Sequence, residues 1–170
     1  MKTVTLPQHW WDRLQFKAVL VFVAVSFLLP FLMHFIPPVN GLPIGVKLLP
    51  IFYAPFIAAY LYRYHVSLLA AISAPALNYL VTGFPQGDML LTLSLELVLF
   101  VSVVWFLRNS PGLLKGLAAV VAYVLALSVT ALILGNPASD FVIQALSNGW
   151  MGVLVLLVIN LFILKFQKHK

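Results

Sequence analysis

Long stretches without a charged side chain constrain this sequence more than any other feature. No Asp, Glu, Lys or Arg occurs between Lys17 and Lys47, between Arg63 and Asp88, between Lys115 and Asp140, or between Asp140 and Lys165. A helix needs about 20 predominantly apolar residues to cross the roughly 30 Å of a hydrocarbon core, and stretches of this kind supply them. With 63% hydrophobic and 8% charged residues, a chain of 170 residues has too little polar surface to coat a water-soluble globule. The fold class expected is therefore all-α, as a polytopic membrane protein forming a single domain over residues 1–170.

Six spans are expected, at about 16–36, 44–62, 66–82, 89–107, 113–134 and 149–166. The arm before the first, with Trp10 and Trp11 ahead of Asp12 and Arg13, suits the headgroup level. It is not expected to be a cleaved signal, since no A-x-A site follows the first apolar run. Pro30 is expected to kink the first span, Pro50 and Pro55 to distort the outer half of the second, and Pro75 to break the third. Irregular backbone at such depth is tolerated only where it is buried in protein or lines a cavity. Pro37, Pro38, Asn40, Gly41 and Pro43 form a stiff loop, residues 83–88 a short polar corner, and residues 135–148 the longest loop, with a few apolar residues able to make a short interfacial helix. In the fifth span Ala118, Ala122 and Ala126 recur at four-residue spacing, a smooth stripe that lets another helix approach closely.

The charges orient the chain. With the N-terminus cytoplasmic, the inner segments hold Lys2, Arg13, Lys17, Arg63, Arg108, Lys115, Lys165, Lys168 and Lys170, leaving only Lys47 outside among the ten Lys and Arg residues. The positive-inside rule then puts both termini on the cytoplasmic side of the membrane. The net charge of +6 is thus a topology signal and not a nucleic-acid footprint. The lack of Cys removes disulfides and thiolate metal sites.

Polar residues concentrate toward the outer side: His34, Asn40, Lys47, Asn78, Tyr79, Gln86, Asp88, Thr92, Glu96, Asp140, Gln144, Asn148 and Trp150. Ser102 and Asn160 are the main ones in the inner half. A small-molecule pocket has mainly apolar walls with a few convergent polar groups, so this one-sidedness predicts an outward-facing pocket bordered by proline-broken helices. The candidate substrate-binding residues are Glu96, Asn78, Lys47, Tyr79, Tyr53, Asn148, Trp150 and Gln144.

Glu96 is the sharpest of them, about 10 Å below the outer end of its helix at about 1.5 Å per residue. An intramembrane carboxylate is costly and faces the protein interior or a wet cavity. Its open alternatives are a ligand contact, a structural pair with Lys47, a protonated carboxyl on backbone, or a proton relay. Lys47 also reads as a snorkelling lysine, Asn78 and Asn148 as interhelical bonds, Tyr53, Tyr79 and Trp150 as interfacial belt residues, and Asp88 as a helix cap. His34 stands alone, with His9, His65 and His169 on the inner side, so no metal cluster is expected. No H-E-x-x-H, G-x-S-x-G, Walker A or paired-aspartate signature occurs, so neither enzymatic chemistry nor a bound cofactor is expected.

The segment LPIGVKLLPIFYAPFIAAYLYRYHVSLLAAISAPALNYLVTG, with the six-span layout, inner termini, Pro-rich first outer loop and polar third and fifth outer loops, resembles the substrate-binding S-components of energy-coupling factor (ECF) transporters. The resemblance covers most of the chain and rests on layout. It implies capture of a small organic, vitamin-like micronutrient outside the cell and toppling in the bilayer to release it. It also implies a membrane coupling subunit and two cytoplasmic ATPases as partners. No ligand motif of that family maps residue by residue onto this chain. The A-x-x-x-A docking surface of the first helix is also missing, since Ala18 and Ala24 have the wrong spacing. Ala54 with Ala58, Ala70 with Ala74, or the fifth-span stripe are geometric substitutes. The outer half lacks the histidines of metal-transporting members, which favours a neutral or zwitterionic organic solute, with Lys47 open to an anionic group and Glu96 to a cationic or donor group. Two other functions stay open: a non-catalytic scaffold similar to the MreD-like components of cell-shape machinery, offering an exposed small-residue groove, and a small membrane enzyme subunit.

Overall fold

The computed structural model describes residues 8–39 and 41–167, and all its regular elements are helical. They are α1 (Gln8–Met33), α2 (Ile44–Leu48), a 3-10 turn (Pro50–Phe52), α3 (Tyr53–Leu61), α4 (Tyr64–Thr82), α5 (Gly87–Leu107), α6 (Leu113–Gly116), α7 (Ala118–Ile133) and α8 (Ala138–Gln167). Four helices are long and apolar enough to cross a membrane: α1 from Gln15, α4, α5 and α8. Two shorter apolar helices, Pro50–Leu61 and α7, accompany them. The expected interfacial arm is helical from Gln8 onward. The side chains of Trp10, Trp11, Asp12 and Arg13, and all of Lys2, Asn40, Lys168, His169 and Lys170, lie outside the described residues.

Of the prolines, Pro75 behaves differently from expectation, since the break expected there is absent. Helix α1 runs on through Pro30 to Met33, and α4 through Pro75 to Thr82. A proline removes one N–H and crowds the carbonyl four residues back, but packing on both sides can hold the helix together. Pro75 has that support, being buried on a helix held between α1, α3 and α5. Just beyond Pro30, the His34 Nδ1–H donates to the Pro30 carbonyl at 2.9 Å as the last turn frays.

The expected long loop at 135–148 is also corrected. Only a few residues around Gly135 (φ 71°) separate α7 from α8, and the helix begins at Ala138 with Asp140 in its first turn. A carboxylate there complements the helix dipole. Phe141, Val142, Ala145 and Leu146 pack against the core, so a segment polar enough to read as a loop gains burial by becoming helical. Gln144, Asn148 and Trp150 therefore stand on one rigid helix.

The order of contact is α1 against α4, α4 against α5, α5 against α7, and α7 against α8, with α2 closing onto α8. Helix α3 sits in the middle, touching α1, α4 and α5. Phe52, Phe56, Ala58 and Ala59 are correspondingly buried. Phe52 meets Phe100 edge-on at 5.1 Å and Tyr123 at 5.3 Å, tying the 3-10 turn to α5 and α7. Large apolar side chains such as Leu80, Phe106, Leu132 and Val158 cover the outside, the inverse of a water-soluble bundle.

Small residues set the close contacts, as in lipid, where apolar tails remove the usual driving force between helices. Ala118, Ala122 and Ala126 are buried within the chain, against neighbouring helices. Ala54, Ala58, Ala70 and Ala74 are buried too. Neither the fifth-span stripe nor the other alanine pairs thus offer an exposed groove to another protein.

Candidate functional site

The two ends of the bundle treat polar atoms differently. At the end where α5 finishes, the polar side chains between the helices have partners. The Arg108 guanidinium donates to the carbonyls of Ala59 at 2.6 Å and Tyr62 at 3.3 Å, the last acceptors of α3, and stacks 3.2 Å over the Trp105 ring. Tyr64 and Ser102 share a hydrogen bond of 2.8 Å between α4 and α5. Asn160 is saturated: its Oδ1 accepts from Tyr60 at 2.7 Å, and its Nδ2 donates to the Lys115 and Gly116 carbonyls at 3.0 and 2.5 Å. These bonds clamp α3, α5, α6 and α8 together.

At the opposite end, where α4 turns into α5 through residues 83–86, four buried polar groups stand without partners. Ser26 Oγ on α1, Asn78 Oδ1 on α4 and Thr130 Oγ1 on α7 accept and donate nothing. The Glu96 carboxyl on α5 is only 7% exposed, and among the described residues nothing donates to it and no cation pairs with it. Serine and threonine inside helices usually donate to the carbonyl four residues back, as Ser94, Ser102 and Ser128 do here. Ser26 and Thr130 depart from that habit. Ser26 lies seven residues before the end of α1, Asn78 four before the end of α4, Thr130 three before the end of α7, and Glu96 nine after the start of α5. All four therefore fall in the same half of the bundle.

Each candidate from the sequence has a definite place. Glu96 and Asn78 are buried on adjacent helices, α5 and α4. Lys47 is half-buried in the last turn of α2, and no ion pair joins it to Glu96 among the described residues. Asn148 is half-buried on α8, which carries the contact with α2. Tyr79 and Trp150, 43% and 53% exposed, point outward from the bundle, and Gln144 is exposed as well.

Tyr53 has a structural task. Leu49 adopts a left-handed backbone (φ 52°, ψ 42°) ahead of Pro50, so the amide of Phe52 bonds to Leu49 and leaves the Leu48 carbonyl without its helical donor. The Tyr53 hydroxyl donates to that carbonyl instead. The broken element lies against Gly149 and Gly152 of α8, and a methyl added to Gly152 would sit 2.5 Å from the Leu48 carbonyl oxygen.

Several features of this end escape the sequence. Tyr123 is buried on α7, the helix packed against α5. Phe100, one turn along α5 from Glu96, joins Phe52 and Tyr123 in an aromatic layer deeper in the bundle. Gly149 and Gly152 carry a readable signal, the small residues at close helix contacts, whereas Ser26 and Thr130 become notable only once their missing partners are seen. A cavity of about 220 Å³ at the opposite end, lined by Leu61, Phe162, Ile163, Phe166 and Gln167, borders none of the candidates. Comparison of the chain with known protein families, curated proteins and solved structures returns no match.

Proposed function

We propose that this chain is a six-span membrane protein with both termini cytoplasmic that captures a small organic solute at its outer face, as the substrate-binding subunit of an ATP-driven uptake system of ECF type. The short helices support six crossings once their extensions are counted. Residues 44–61 (α2, the turn and α3) and 113–133 (α6 and α7) are each about 27–32 Å long at about 1.5 Å per residue. Arg63, Arg108, Lys115 and Lys165 border the end opposite the 83–86 corner, in keeping with a cytoplasmic face there.

One observation carries the proposal: buried polar groups are saturated at the inner end and unpaired at the outer end. An unsatisfied buried donor or acceptor costs about 1–3 kcal/mol, and a charged one more. Four together on α1, α4, α5 and α7 support a role in meeting an external partner. The coupling subunit and two ATPases follow from the family resemblance. Their contact surface excludes the alanine stripes, which are buried within this chain. That burial also counts against a scaffold role through the fifth-span stripe.

Glu96→Gln tests the proposal, because it keeps the side-chain volume while removing the charge and replacing one acceptor oxygen by an NH2 donor. Native mass spectrometry of protein extracted from its membrane should detect a retained small molecule, and Glu96→Gln should lower its occupancy at least tenfold. An empty wild-type protein, or equal occupancy in the two, refutes capture at this site.

A further inference from the structure

Resting on that capture function, we infer that the solute is an organic cation bearing N–H donors, such as an ammonium, an amidinium or a protonated aminoheterocycle, held jointly by Glu96 and Asn78. The inference comes from which kind of hydrogen-bonding capacity is left open. Asn78 is 2% exposed, and its Nδ2 donates to the Ala74 carbonyl at 2.8 Å. That bond fixes the amide's orientation, since the flipped amide would set oxygen against oxygen. The acceptor Oδ1 is unpaired, beside the one Nδ2–H that this bond does not use. Glu96 adds a carboxyl, which when ionised only accepts. Among the described residues the buried side-chain atoms without a partner are Asn78 Oδ1 and the hydroxyls of Ser26 and Thr130, and of these only Asn78 Oδ1 is restricted to accepting.

An anion or an acceptor-only solute would meet acceptors at both positions and a carboxylate at one. A cation with two N–H groups would satisfy both, and charge-assisted bonds of this sort are roughly twice as strong as neutral ones. Lys47, the cationic side chain nearest this face, is on α2 against α8, while Asn78 and Glu96 are on α4 and α5. The spacing is informative as well. Counted from the 83–86 corner, Asn78 lies four residues up α4 and Glu96 nine residues down α5, so Asn78 is shallower by about one helical turn, on the order of 5–7 Å. The solute is thus expected to carry its positive group at the deep end and a second donor about one turn shallower. Phe100, Phe52 and Tyr123 form an aromatic layer on the deep side, keeping water away from the carboxylate and strengthening its attraction for a cation.

The test uses the full chain in lipid nanodiscs with three probes of one shape: benzamidinium, benzamide and benzoate. It is combined with mass identification of any molecule released on denaturation. The expected result is benzamidinium binding at least tenfold tighter than benzamide, with no benzoate binding. The preference should disappear in Glu96→Gln and fall several-fold in Asn78→Leu, while Tyr60→Phe at the opposite end, with melting followed in all variants, keeps it. A released molecule that is a cation with N–H groups supports the inference. A released anion, or benzoate binding as well as benzamidinium, overturns the solute class but leaves capture standing. No released molecule together with no probe binding overturns capture itself, and the inference with it.

Discussion

Gly152→Ala should destabilise the protein even though alanine is the better helix former. Alanine in place of glycine within a helix gains about 1 kcal/mol. Against this, the added methyl would lie 2.5 Å from the Leu48 oxygen, 2.6 Å from its carbonyl carbon and 2.7 Å from Leu49 Cγ. Carbon and oxygen approach no closer than about 3.3 Å even in weak C–H···O contacts, so α2 and α8 must separate by on the order of 1 Å. The obstacle is backbone and cannot rotate away. Overpacking of this kind costs about 1–3 kcal/mol, and separation also threatens the Tyr53 to Leu48 hydrogen bond, worth about 1 kcal/mol more. The expected net loss is about 1–3 kcal/mol. Gly149→Ala is the internal control: its methyl would meet only Leu49 side-chain carbons at 3.1–3.3 Å, which can give way, so its stability should be unchanged or higher. Equilibrium unfolding in mixed detergent and SDS micelles measures both. A Gly152→Ala midpoint at or above wild type would show that α2 is not seated on α8 as described.

Other substitutions probe the remaining polar atoms. Tyr53→Phe removes the donor to the Leu48 carbonyl and should cost about 1 kcal/mol in the same unfolding assay, with retained-solute occupancy within twofold of wild type. Tyr60→Phe and Asn160→Ala should be non-additive, since the two share a 2.7 Å bond; a double-mutant cycle is expected to give a coupling of about 0.5–2 kcal/mol, and additivity would deny the bond. Thr130→Val swaps an unpaired buried hydroxyl for a methyl of similar volume and should stabilise the solute-free protein by up to about 2 kcal/mol, whereas a loss of stability would mean that the hydroxyl has a partner.

The membrane class, the all-helical fold and the polar loading of one half were legible in the sequence because they depend on the summed hydropathy of long segments. Glu96 and Asn78 were legible as individuals, since a carboxyl or amide inside an apolar run demands an account wherever it points. Direction was not legible: Tyr79, Gln144 and Trp150 share the depth of Asn78 but face outward, because small differences in helix rotation decide exposure and the hydrophobic periodicity of a lipid-covered helix is weak. That residues 138–148 form one continuous helix with the last span, and not a loop or a short separate helix, was not legible for a related reason. Its polar residues describe the exposed side, while Phe141, Val142 and Ala145 bind the segment to the core through contacts that only the assembled bundle reveals. Pro75 misled because it is buried on a helix held between α1, α3 and α5, a packing that local preference does not reveal.

Strain and unsatisfied polarity gather at one end of this molecule. The left-handed Leu49, the close seat of Leu48 on Gly152, the three unpaired oxygens of Ser26, Asn78 and Thr130 and the Glu96 carboxyl all adjoin the half that contains the 83–86 corner, whereas the bonds of Arg108, Asn160, Tyr64 and Ser102 rigidify the other. Features that lower stability persist where something else is gained, and the sign of the Glu96→Gln effect separates the possible gains. If Glu96 holds a solute, removing its charge relieves a buried carboxylate, so the solute-free protein melts higher while affinity falls: stability and binding move in opposite directions. If Glu96 serves only the fold, through a hydrogen bond that holds two helices, the same change lowers the melting temperature and leaves binding alone. Opposite signs in one variant are hard to produce by general damage, which makes this pair of measurements more decisive than either alone.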